Sequence, residues 1–198
     1  MFDHSGDFSV CSEAGNSLEA KESLRELTPD LIILDLSLGG DDGPALIKFL
    51  VDNYPPSKII VYSALNEMTY GERAIRNGAC GYVMKHRRLD ELLDAAKRVV
   101  RGEIAVSDRL NSYLLHQRRN LSTECINADA AIANLTDREL QVLRLIGSGL
   151  STGEIAKKLF LSPKTVGAHR ESLKNKFAVA SGSDLVHRAV SLFNQGIV

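Results

Sequence analysis

At 198 residues, 44% hydrophobic and 25% charged, the chain has the composition of an ordinary folded protein, with room for one domain of common size and a smaller second one. It holds no run of about eighteen apolar residues and no basic-then-apolar leader, which argues against a membrane span or a secretory signal and makes the cytoplasm the expected compartment. The net charge of −1 hides a polarity: residues 134–198 carry nine Lys and Arg against five Asp and Glu, and residues 1–133 carry fifteen against twenty.

In chain order, Phe8-Ser9-Val10 is a candidate first strand, followed by a helical stripe from Leu18 to Leu27. Leu31-Ile32-Ile33-Leu34, preceded by Thr28-Pro29-Asp30, is a short continuous apolar run of the kind found in parallel strands buried on both faces. Ile59 to Tyr62 and Gly81 to Met84 repeat it. Helical stripes run from Pro44 to Tyr54, from Asn66 to Asn77 and from Leu89 to Arg101. This alternation predicts a doubly wound α/β sheet over residues 1–101.

Chemistry in such a sheet gathers at the carboxyl ends of the strands. Asp35, Ser63 and Lys85 finish strands there. An ionised carboxylate can attack a phosphoryl group, a lysine can pair with the phosphate formed, and a hydroxyl can hydrogen-bond its oxygens. Taken singly each is common, and a strand-end Asp often serves only to cap a helix or turn; the joint placement is what carries the signal.

Residues 102–133 read as a linker with one helix, capped by Ser107 and carrying Leu110, Leu114 and Leu115. Arg118-Arg119 and the polar LSTECINADA stretch follow. The arginine pair reads as solvated linker charge rather than as a phosphate contact. Cys11, Cys80 and Cys125 are odd in number and widely spaced, as free thiols are, and no zinc-type spacing occurs.

Residues 134–198 predict four helices around a small core. Thr136-Asp137-Arg138-Glu139 and Ser151-Thr152-Gly153-Glu154 are capping boxes, in which hydroxyl and carboxylate satisfy orphan N–H groups at a helix start. The first helix places Leu140, Leu143 and Ile146 on one face and ends at Gly147 and Gly149; the second places Ile155, Ala156 and Leu159 together. Ser162-Pro163 opens the third, with proline where its missing N–H costs nothing and Val166, Leu173 and Phe177 as the buried seam. Lys164, Thr165, Ala168, His169, Lys174 and Lys176 lie off that seam. Such a face offers donors and cations to nucleic acid. Ser183-Asp184 is expected to open the last helix, whose stripe of Leu185, Val186, Ala189, Val190 and Phe193 is wider than one small core needs and suggests a dimer contact.

The segments LTDREL, GLSTGEIA, LSPKTV and the spacing to His169-Arg170 resemble the LuxR-type (NarL/FixJ) helix-turn-helix domain. PDLIILDLSLGGDDG, VYSA and GACGYVMK resemble the phosphoacceptor, hydroxyl and lysine segments of the response-regulator receiver, a flavodoxin-like fold. The resemblance implies a transcription regulator of a bacterial two-component system, not an enzyme, that binds double-stranded DNA as a homodimer. It implies phosphotransfer from a histidine kinase to Asp35, with Ser63, Tyr82 and Lys85 responding to the phosphate. It also implies DNA contacts from Lys164, Thr165, Gly167, Ala168, His169 and Lys174, although many relatives carry a polar residue where Gly167 stands.

In the family a central first strand ends in an acidic pair that holds Mg²⁺. Here the residues before Phe8 resemble the last turn of the family's first helix, so the chain reads as a receiver lacking its first strand and first helix. Asp35 is then the obvious metal carboxylate, with Asp41 and Asp42 in the following loop, and one carboxylate gives a weak Mg²⁺ site. Two alternatives follow: a phosphorylation-independent DNA binder whose receiver serves dimerisation, and a phosphatase with Asp35 as covalent nucleophile. The second lacks its usual partner carboxylate, because Ser37 stands two residues on. His86 follows Lys85 where many receivers have a cis proline.

Overall fold

The structure is a computed structural model that describes Phe2 and residues 6–36, 43–118 and 130–198. Ser37, Asp41, Asp42, Arg119 and Cys125 lie outside the described residues, as does nearly all of the LSTECINADA stretch. The chain forms two compact units, Met1–Leu115 and His116–Val198.

The first unit contains α1 (Ser17–Ser23), β1 (Leu31–Leu34), α2 (Gly43–Asn53), β2 (Lys58–Ser63), α3 (Glu72–Arg76), β3 (Gly81–Met84), α4 (Leu89–Val100) and α5 (Asp108–Arg118). All described strand pairs are parallel, in the order β1-β2-β3, with Ile32 opposite Ile59 and Ile60 opposite Gly81. Ile59, Ile60 and Val61 of the central strand are buried. Ile60 and Val83 meet Leu92, Ala95, Ala96 and Val99 of α4 in one apolar cluster. The expectation that the Leu31–Leu34 run is buried on both faces fails, because β1 pairs only with β2 among the described residues and Ile33 is 38% exposed. Edge strands are covered less than central ones.

Phe8-Ser9-Val10 is not a strand. Phe8 instead packs its ring edge-on to Phe2, centroids 5.6 Å apart, and both sit against the α4 cluster. A side-chain anchor has replaced the expected ladder. The Leu18–Leu27 stripe gives a shorter helix, started by Asn16, whose side chain accepts from Glu19 N–H, and closed by Leu24. The Asn66–Asn77 stripe begins with a π-helical turn, Glu67–Gly71, before α3. That turn lets the backbone press close at Gly71, where a Cβ would lie 2.6 Å from Leu110 and 3.4 Å from Tyr82. Leu110, on the expected linker helix α5, is therefore buried within the first unit, and Ser107 caps that helix at Leu110 N–H as anticipated.

The second unit contains α6 (Ala130–Ala133), α7 (Asp137–Gly147), α8 (Thr152–Lys158), α9 (Pro163–Phe177) and α10 (Gly182–Asn194). Both predicted capping boxes form. The start of α10 is corrected: Ser181 is the cap and Asp184 its reciprocal partner, two residues earlier than Ser183. Helix α7 ends at Gly147, as expected. Gly147 lies where α7 crosses α10, and a Cβ there would fall 2.7 Å from the Ala189 carbonyl and from Phe193. Gly149, at φ +87°, then closes the turn, as also expected. The stripe on α10 divides: Leu185, Ala189 and Leu192 are buried, while Val186 and Phe193 stand 37% exposed.

Candidate phosphoacceptor and DNA-binding sites

The first site lies at the carboxyl edge of the sheet. Asp35 directly follows β1, Ser63 ends β2 and Lys85 directly follows β3. Lys85 Nζ lies 2.7 Å from Asp35 Oδ2, and its backbone N–H donates to the Ser63 carbonyl at 2.8 Å. The pairing β1-β2-β3 brings together residues fifty positions apart in the chain. Ser63 is fully buried, and its Oγ accepts from Leu65 N–H at 3.2 Å. Tyr82 is buried one strand over, with its hydroxyl donating to the Leu65 carbonyl at 2.8 Å. Burial pushes the Tyr82 hydroxyl well above the ordinary phenol range, so it stays protonated and a donor. One peptide segment, Ser63 to Leu65, is thus gripped from both sides.

Among the described residues no three His, Cys, Asp or Glu side chains gather to hold a metal. A Mg²⁺ ion takes near-octahedral oxygen ligation and keeps several waters; at this edge Asp35 offers it a carboxylate, one of whose oxygens already faces Lys85. A Mg²⁺ ion at this edge would be held by Asp35 and water, a weak site among the described residues. The Lys85–His86 bond is trans, as no cis peptide occurs among the described residues.

The second site is built on α8 and α9. Ser162 Oγ accepts from Thr165 N–H at 3.0 Å, and Pro163 opens the helix as predicted. Val166 and Leu173 are buried and Phe177 half-buried, leaving Lys164, Thr165 and Ala168 exposed on the outer side and Gly167 and His169 half-buried beside them. Nothing lies within 4 Å of the place a Gly167 Cβ would take. Lys174 is largely covered and pairs with Glu171 at 3.0 Å. Lys176 is corrected from solvent-facing cation to structural partner: its Nζ lies 2.6 Å from Glu139 and 3.0 Å from the Asn134 carbonyl.

Glu139 is the centre of that arrangement and was legible only as a helix-start signal. Burial alone would raise its carboxyl, but hydrogen bonds from Lys176, Ser172 and Thr136 outweigh burial and hold it down at about 2. The residue therefore ties α9 to the start of α7. Beside it, Arg138 donates to the Leu159 carbonyl at 2.8 Å and to Gln141 at 2.6 Å, fastening the end of α8. The turn that follows contains Phe160, with φ +53° and 84% exposure. A left-handed backbone costs a residue with a Cβ about 1–2 kcal/mol.

Residues 1–97 match the response regulator receiver domain, and residues 133–189 match the bacterial regulatory proteins of the luxR family. The oxygen regulatory protein NreC of Staphylococcus aureus strain MRSA252 is 32% identical over 192 residues, 96% of this chain and 88% of NreC. RcsB from Salmonella enterica serovar Typhimurium, bound to promoter rprA in the presence of the phosphomimetic BeF3−, superposes with a TM-score of 0.63 at 25% identity, covering 92% of this chain and 85% of RcsB. A second RcsB–DNA complex gives 0.62 at 27% identity, over 91% and 84%. A parallel α/β receiver followed by a helical DNA-binding unit defines a response regulator. The chain belongs to the LuxR-type response regulators, DNA-binding transcription regulators of two-component systems. No helix among the described residues is long and apolar enough to cross a membrane.

Proposed function

We propose that the protein reads duplex DNA with α9 and accepts a phosphoryl group on Asp35 from a histidine kinase. The observation that carries the DNA reading is the division of α9, with Val166 and Leu173 sealed in the core and Lys164, Thr165, Gly167, Ala168 and His169 on or beside its open side. A helix fixed along its inner seam can enter a major groove without rearranging. Glu139 holds it through Lys176 and Ser172, and Arg138 fastens the end of the neighbouring α8. The outward Val186, Val190 and Phe193 of α10 supply an apolar strip for a second copy of the chain, so that two α9 helices read two half-sites. The test is DNA affinity of Lys164→Ala and His169→Ala proteins against a duplex from the protein's own regulatory region. Loss in both supports the reading, and unchanged affinity in both removes α9 from the interface.

At the receiver site, an Asp35 oxygen attacks phosphorus as the P–N bond to the kinase histidine breaks, and the imidazole takes a proton as it leaves. Lys85, at 2.7 Å, neutralises charge on the new phosphate. The Ser63 hydroxyl donates a hydrogen bond to a phosphate oxygen. If Ser63 turns in doing so, it releases Leu65 N–H, and the Leu65 carbonyl held by Tyr82 moves with it. The described site presents one carboxylate and one ammonium, so phosphorylation is slow and incomplete and DNA affinity responds weakly to it. That same donor set favours a second reading, in which the receiver serves mainly for dimerisation.

A further inference from the structure

We propose that Phe160 is a DNA-contact residue, with the turn between α8 and α9 laying its ring against the deoxyribose face of the duplex backbone. Phosphates on either side would then pair with Lys157, Lys158 and Lys164. The inference rests on α9 being the DNA-reading helix and extends the interface to a residue outside it.

Helix α8 ends with two backbone hydrogen bonds, Phe160 N–H to the Lys157 carbonyl at 3.3 Å and Leu161 N–H to the Ala156 carbonyl at 2.9 Å. This closing motif needs a left-handed residue at position 160, and glycine is the residue that adopts it without strain. The same unit shows the ordinary solution. Helix α7 ends with Gly149 N–H to Ile146 and Leu150 N–H to Leu145, at 3.0 and 3.1 Å, with Gly149 at φ +87°. Phe160 does the identical backbone job at φ +53°; Ala178 closes α9 in the same left-handed way at φ +52°, so what sets Phe160 apart is the large aromatic ring it holds 84% exposed at such a position. Within the unit neither burden is offset by packing. A strained, exposed aromatic is explained by what it touches outside the chain.

The surroundings identify the partner's chemistry. Lys157 and Lys158 form the last turn of α8, Lys164 lies in the first turn of α9, and all three are exposed with no ion pair among the described residues. The acidic group of the same helix, Glu154, hydrogen-bonds Ser151 at the far end and attracts Lys157, leaving Lys158 and Lys164 with no acidic partner among the ion pairs of the described residues. An apolar protein surface closing over Phe160 would strip water from three exposed ammonium groups. A DNA backbone offers a sugar face between phosphates and satisfies both kinds of group together.

The experiment measures binding of the full chain to a short mixed-sequence duplex across a salt series. It compares the natural protein with Phe160→Gly, Phe160→Leu and Lys164→Ala. Phe160→Gly is expected to weaken binding about fivefold, as for a partly buried apolar group, without changing the salt slope, because no cation is removed. Phe160→Leu keeps most of the affinity, and Lys164→Ala flattens the slope. Relief of strain leaves the Tm of Phe160→Gly equal to or a few degrees above that of the natural protein. Unchanged affinity in Phe160→Gly beside a weakened Lys164→Ala overturns the inference, assigns the ring to a protein partner, and leaves α9 in place. A flattened slope or a lower Tm in Phe160→Gly also overturns it. Unchanged affinity in every variant contradicts the α9 reading itself.

Discussion

Lys176 reaches across the C-terminal unit from α9 to Glu139 on α7, placing its ammonium 2.6 Å from a carboxylate whose side chain is 6% exposed. Ser172 and Thr136 complete the carboxylate's partners. The orientation of the proposed DNA-reading helix thus depends on a charge that must stay ionised.

That dependence gives a signed pH prediction. Glu139 titrates at about 2 when folded against an ordinary value of 4.5. A folded value below the unfolded one gives stability that is complete above the unfolded value and lost as the pH falls from there toward the folded value. Urea unfolding of the natural protein should therefore show a stability loss between about pH 5 and pH 2. Glu139→Gln should lack that component of the slope. Lys176→Met should cost about 1–3 kcal/mol at neutral pH, below the figure for a fully buried pair because Lys176 is partly exposed. A neutral effect of Lys176→Met would mean that water replaces the ammonium without loss.

Lys164 and Lys174 should separate in a salt titration of DNA binding. Lys164→Ala should flatten the slope by about one unit. Lys174 is already paired with Glu171 at 3.0 Å and largely covered, so its removal should flatten the slope by clearly less. Equal changes would show that the Glu171 pair opens on DNA.

Gly167 sits inside α9 with open space where a Cβ would go. Gly167→Ala should stabilise the C-terminal unit by about 0.5–1 kcal/mol, through helix propensity alone. Gly167→Lys should raise non-specific DNA affinity by adding a cation to that side of α9. If affinity does not rise, the position faces away from the duplex.

Local signals with a short physical range were readable in the sequence. Both capping boxes and the Ser162-Pro163 start formed where their residue types placed them. Asp35, Ser63 and Lys85 converged because parallel pairing of consecutive strands fixes where their ends lie. What depends on a distant partner was not readable. The burial of β1 depends on a neighbour strand, and Phe8 chose the α4 cluster over a ladder. Lys176 looks like a surface lysine in one dimension, and only the packing of α9 on α7 turns it inward to Glu139. The cost at Phe160 becomes visible only once its φ is known.

Asp35 is proposed as a phosphoacceptor that is loaded only in part and therefore coupled weakly to DNA binding. Natural and Asp35→Asn proteins are treated with acetyl phosphate and Mg²⁺, and each sample is measured by intact mass and by DNA affinity. A single phosphoryl adduct is expected in a minor fraction of the natural protein, none in Asp35→Asn, and little change in DNA affinity of the bulk. An adduct that persists in Asp35→Asn, or stoichiometric phosphorylation of the natural protein with a large change in affinity, would contradict that role for Asp35.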